Sequence, residues 1–169
     1  MGANSNAFRA YDLLAAQPAS VRDLPERERA GIVVSAVTDM NGRDHTLSTF
    51  GDAIWDFRPY FEQSNVADGQ KYIPWPEDCT YQLVNDCKAV LYGWYKRGLP
   101  GSKPPVAMGI CQTAIASAIP LMRWLMSLNV HRFDQVKPIH VANYVHHIKS
   151  RLVRNPSSVY DSLRILDFL

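Results

Sequence analysis

Tyr81-Gln-Leu-Val-Asn-Asp-Cys-Lys-Ala-Val-Leu-Tyr-Gly-Trp-Tyr95 is the stretch on which the reading of the fold turns. Leu83, Val84, Cys87, Val90, Leu91, Trp94 and Tyr95 recur at helical spacing and share one apolar face. From Tyr81 onward the chain therefore reads as helix. Gly98, Pro100, Gly101 and Pro104-Pro105 stop this first helix.

Downstream the same period continues. A second helix is expected from about Val106 to Leu128, with Ile110, Ala114, Ala118, Leu121, Met122, Leu125 and Leu128 on one face. Pro120 lies inside it, which predicts a kink or two shorter helices. Asn129 fits the stop. A third helix starts near Pro138, a favourable first-turn residue, and carries Val141, Val145, Ile148 and Leu152 as its apolar stripe. Asn155-Pro156 then reads as an N-cap and first-turn proline for a fourth helix bearing Val159, Leu163 and Leu166 and reaching Leu169. Trp94, Leu121, Leu125, Val145, Ile148 and Leu163 are expected in one core.

Upstream the signals differ. Residues 1–7 are small and polar and are expected to be disordered. Residues 8–17 suit a short helix, and Pro18 and Pro25 bracket a turn. Ile32 to Thr38 is rich in β-branched residues, Asn41-Gly42 follows, and Arg43 to Phe50 is again strand-like. That pattern predicts a β-hairpin at roughly 32–50, with both turn positions at positive φ. Trp55, Phe57, Tyr60, Phe61, Tyr72 and Trp75, interleaved with Pro59, Pro74 and Pro76, have no period and suggest an extended segment. Its rings lie either on the chain's own helices or on a partner. The fold class expected is mainly α: four main helices preceded by a small N-terminal segment with a β-hairpin. Residues 1–79 form the acidic segment and residues 80–169 the helical domain.

Charge is divided along the same line. Residues 1–79 hold seven Lys/Arg against twelve Asp/Glu, net −5; residues 80–169 hold eleven against four, net +7, with no Glu and four of the five histidines. Such asymmetry is expected when one half meets a polyanion, the alternative being uneven surface charge with no partner. No apolar run approaches the roughly 18–20 residues a bilayer span needs, so no membrane association is expected. No basic segment followed by an apolar core opens the chain, so the expected location is the cytoplasm. Cys79, Cys87 and Cys111 are odd in number and form no C-x-x-C; they read as free thiols, the last two buried.

No phosphate-binding glycine loop, dinucleotide fingerprint, zinc-protease helix or serine-hydrolase elbow occurs, so no catalytic residue, cofactor or small-molecule substrate is assigned. His140, His146 and His147 do not make a metal site, because 146 points about 100° from 147 and no acid or thiol joins them. The informative pattern is polar. Opposite the apolar stripe of the third helix lie His140, Asn143, His147, Ser150, Arg151 and Arg154, none acidic. Arginine forks suit phosphate or guanine, and asparagine pairs with adenine. Ser157-Ser158 opens the fourth helix with hydroxyls and free N–H groups suited to a phosphate, and Arg164 extends the contact. Arg123 and Lys103 are counted with them. The expected partner is duplex DNA; a solvated cationic face without a ligand is the alternative.

The same segments carry a resemblance. Ile119-Pro-Leu-Met-Arg-Trp-Leu-Met-Ser-Leu128, Phe133-Asp-Gln-Val-Lys-Pro-Ile-His-Val-Ala-Asn-Tyr-Val145 and Ser157-Ser-Val-Tyr-Asp-Ser-Leu-Arg-Ile-Leu-Asp-Phe-Leu169 resemble, in order, segments of the core-binding domain of tyrosine recombinases (phage-type integrases). Trp55-Asp-Phe-Arg-Pro-Tyr60 resembles the N-terminal part of some integrase-like proteins. The resemblance covers roughly residues 81–169 and, weakly, 50–61. It implies a SAM-like helical domain that clamps DNA, with possible self-association there, while a separate C-terminal domain cuts and rejoins strands. Lys137-Pro138, where Thr is more usual, and Pro120 depart from the pattern. On this resemblance the chain is expected to be a non-enzymatic fragment of a recombinase. The competing reading is a helical protein–protein adaptor that uses the aromatic 55–75 segment.

Overall fold

The computed structural model describes residues 8–61, 65–98, 103–151 and 156–168. The elements are β1 (Phe8–Arg9), α1 (Tyr11–Ala15), α2 (Glu26–Ala30), β2 (Val33–Thr38), β3 (Asp44–Thr49), β4 (Ile54–Asp56), β5 (Tyr72–Pro74), α3 (Tyr81–Arg97), α4 (Ala107–Thr113), α5 (Ile119–Ser127), α6 (Pro138–Arg151) and α7 (Pro156–Leu163). The chain is mixed α/β: the four main helical segments are present, and two small antiparallel sheets stand with them, β1-β2-β3 and β4-β5. The mainly-α expectation is corrected on this point. Neither sheet is long.

The hairpin β2–β3 is where the sequence put it, but its turn differs. Thr38 pairs with Asp44, Asp39 N–H donates to Arg43 O, and Gly42 N–H donates to Asp39 O. Only Gly42 takes positive φ, at 75°. This is a three-residue loop with one left-handed glycine, not a two-residue turn with two. Asp39 stabilises it by accepting from the backbone N–H groups of Asn41 and Arg43. The N-terminal stretch read as helix begins instead with β1, which pairs with the open edge of β2 and satisfies backbone groups that would otherwise stay unpaired.

Register irregularities around Ser35 bend β2, and there two buried serines join the sheets. Ser35 and Ser48 hydroxyls lie 2.8 Å apart; Ser35 donates to Asp56 O, and Asp56 N–H donates to Ser48 Oγ. The aromatic stretch then turns inward. Trp55 and Phe57 are fully buried and Trp75 nearly so. Phe57 meets Tyr95 of α3 edge-on at 5.5 Å, and Phe50 meets Tyr92 at 6.3 Å. The main buried cluster runs without a break from Val21 through Trp55 and Leu91 to Ile165, so the change of charge and periodicity near residue 80 does not divide the core.

Lys88 is the unexpected member of that core. It lies on α3, 4% exposed, and its ammonium donates to Phe50 O (3.0 Å) and Asp52 O (2.8 Å) among the rings of Phe50, Trp55 and Trp75. Burial pushes it down to about 8. Cys87 and Cys111 are buried free thiols, as expected, while Cys79 is half-buried.

The segment predicted as a second helix is α4, a π-helical turn over Ala114–Ala118, and α5. Pro120 explains the turn. A proline lacks an N–H and clashes with the carbonyl four residues back; widening the preceding turn removes the clash. Ser117, on the π turn, inserts its hydroxyl between two backbone groups at the C-terminal end of α7: it donates to Ser162 O and accepts from Ile165 N–H, both at 2.9 Å. The helix expected to run straight to Leu169 accordingly tightens to 3₁₀ over Arg164–Phe168. Asn129, at φ 58°, ends α5 as anticipated.

Candidate nucleic-acid interface

Helix α6 begins at Pro138 because a first-turn proline gives up no hydrogen bond. Lys137 precedes it and cannot cap by its side chain. His140 does part of that work: its Nδ1 accepts from Lys137 N–H at 3.1 Å. The buried seam of α6 is Tyr144 and Ile148, with Val141 and Val145 only half-buried. The stripe centred on Val141, Val145 and Ile148 is thus turned by roughly 50° at 100° per residue. The large ring wins the core position. Tyr144 packs against Trp124 of α5 at 5.2 Å, and burial pushes its hydroxyl up to about 12. Val145 is corrected from core to flank. Trp94, Leu121, Leu125 and Ile148 are buried, and Leu163 is partly so.

This rotation redistributes the expected binding residues. Asn143, Ser150 and Arg151 are exposed, but His140 and His147 are half-buried along the edge of the seam. The outward face gains His146 and Lys149, together with Ala142 and Ile139. Sequence reading missed Lys149 and His146 because the apolar stripe was centred without Tyr144. Once the aromatic is placed inward, helical spacing puts both on the opposite side. Arg154 lies outside the described residues. Ser157 and Ser158 are in the first turn of α7.

Two of the remaining expected residues are engaged away from this face. Arg123 is exposed and ion-paired to Asp78 at 2.9 Å. Arg164 is half-buried with its guanidinium 5.2 Å from the Trp94 ring, and it lines a small cavity with Gln112, Thr113 and Asp161. Lys103 is exposed. Arg132 is held by Asp134, which raises it above the ordinary guanidinium value. By contrast Lys137, Lys149 and Arg151 are exposed and make no ion pair among the described residues. From Gln135 to Tyr160 the sequence contains no Asp or Glu.

Of the aromatic 55–75 segment on which the adaptor reading rests, Trp55, Phe57 and Trp75 are buried in the chain's own core, and Tyr60, Phe61 and Tyr72 are half-buried. Among the described residues no three metal-binding side chains cluster, and no helix is long and apolar enough to cross a membrane. No family model matches the chain, and neither does a curated protein or a solved structure.

Proposed function

We propose that the chain is a DNA-binding part of a tyrosine recombinase and that the outward face of α6 lies against duplex DNA. Strand exchange would belong to a separate catalytic domain. The observation that carries the reading is the outward face itself. Asn143, His146, Lys149 and Ser150 are exposed there, on a helix that buries only two residues and inside a stretch with no carboxylate; Arg151, seven residues after Tyr144, is exposed at the end of the helix on the side of the seam. A merely solvated helix face ordinarily mixes signs and gains from pairs three or four residues apart. Here the cations have no such partner, while phosphate oxygens would supply one. Ala142 and Asn143 are short, which allows close approach to a groove.

The test is binding of a fluorescent duplex across a salt series. Contacts to about three to five phosphates give a slope of log affinity against log salt near −3 to −5. Lys149→Ala reduces that slope by about one if it meets a phosphate, and Arg151→Ala does so if the contact reaches round the last turn of the helix. An unchanged slope in the double variant, with binding retained, overturns the assignment to α6. Absence of salt-dependent binding to any duplex overturns the function.

A further inference from the structure

A cavity of about 330 Å³ lies between the N-terminal strand-and-helix and the C-terminal end of α3. It falls within the lower range of small-molecule sites, which run to about 300–1,000 Å³. Arg9 and Lys96 line it, with Tyr11, Tyr95, Pro104 and Val106 among its walls. No carboxylate lines it among the described residues. Its chemistry is therefore two cations in an aromatic and apolar recess.

Arg9 sits within 5.3–5.4 Å of the rings of Tyr11, Tyr60 and Tyr95, and its Nη2 donates to Tyr95 Oη at 2.8 Å. Its Nε is buried and has no hydrogen-bond partner among the described residues. Lys96 donates to Leu14 O at the end of α1, one contact for a group with three donors. Burial and the neighbouring Arg9 both lower its pKa, so the two charges crowd one another. Two like charges drawn partly out of water without a counter-charge cost free energy that an anion would relieve. The tyrosine rings compensate Arg9 in part, but a ring face offers no acceptor for Nε. On the rim, Tyr11 is 68% and Val106 71% exposed, leaving an apolar ledge above the charged floor.

We propose that this cavity binds a small organic anion, a carboxylate or phosphate monoester carried on a flat ring. Arg9 and Lys96 hold the anionic group, and Tyr11 with the Pro104–Val106 rim holds the ring. The site is independent of the outward face of α6. A duplex presents its phosphates on a broad convex surface, which fits a half-buried floor poorly.

The experiment titrates the full chain by calorimetry at fixed ionic strength with phenyl phosphate, inorganic phosphate and phenol. Phenyl phosphate should bind saturably at one site. Losing the ring or the charge should each weaken binding by about tenfold or more, the worth of one charge-assisted contact. Lys96→Gln should weaken phenyl phosphate by about tenfold, and Arg9→Lys likewise, because the fork is lost while the charge stays. Tyr11→Ala alters an exposed ring, so folding should be unaffected; it should weaken phenyl phosphate and leave inorganic phosphate unchanged. Melting curves for each variant establish that it is folded. The proposal is overturned by no saturable binding at millimolar phenyl phosphate, or by equal binding of phenol. It is also overturned by undiminished affinity in folded Lys96→Gln, or by stoichiometric displacement of phenyl phosphate by duplex DNA.

Discussion

Of the seventeen residues of α3, twelve are buried; of the fourteen of α6, two are. Both helices show a stripe of apolar residues in sequence, and both carry lysine. In α3 Lys88 and Tyr92 are covered by the segment after β3, through Phe50 and Asp52, and Tyr95 by Phe57 of the aromatic segment. In α6 nothing among the described residues covers the side away from Tyr144 and Ile148. One lysine is consequently drawn into an aromatic cage and used to hold a loop. Another, Lys149, stays in water with its charge unspent. What separates them is the number of layers packed on the helix, not the local residue pattern.

The largest expected effect lies on the buried side. Leu91→Ala in α3 should cost about 2–5 kcal/mol in denaturant unfolding, because the side chain is wholly enclosed. Ile139→Ala in α6, 58% exposed, should stay within about 0.5 kcal/mol. A similar cost at both positions would mean that α6 is covered in solution, and the comparison would fail.

Ser117→Ala should come next, at about 1–3 kcal/mol, since it strips partners from two backbone groups at the C-terminal end of α7. Hydrogen exchange should then speed up in α6 and α7 before α3. Uniform acceleration would show that the helices open as one unit.

Lys88 gives a pH signature. Its folded value is about 8, below the ordinary lysine value of about 10.4. Between those values the unfolded chain holds more protons, so this group makes stability rise with pH. The gain is at most about 1.4 kcal/mol per pH unit. Buried Cys87 and Cys111 are raised and act oppositely above about pH 9, so the readout is wild type against Lys88→Met. Stability of the wild type should climb relative to the variant between pH 8 and about 10. A flat difference would place the ammonium in contact with water.

Smallest in stability and largest in binding is Lys149→Ala. Unfolding should shift by less than about 0.5 kcal/mol. Duplex affinity should fall uniformly across sequences. A stability loss without a binding loss would make Lys149 a structural residue.

Much of the fold was legible. Periodicity located α3 and the start of α6 to within a residue or two, β-branched runs with Asn41-Gly42 located the hairpin, and Pro120 announced the break between α4 and α5. The candidate site was legible only in outline. The acid-free stretch was visible, but which of its residues face outward depended on whether Tyr144 or Val145 entered the core. Spacing alone is nearly indifferent to that choice. Ring size and the position of Trp124 decide it.

The sequence by itself determined where helices and hairpin occur, the charge asymmetry and the break at Pro120, because each follows from neighbours within a few positions along the chain. Only the tertiary structure decided that the aromatic segment becomes core, that Lys88 is buried, that α6 turns on Tyr144, and that Arg9 and Lys96 share one cavity. Those outcomes depend on surfaces far apart in sequence competing for the same buried space. The contact between Arg9 and Tyr95 spans 86 positions, and no local pattern encodes it.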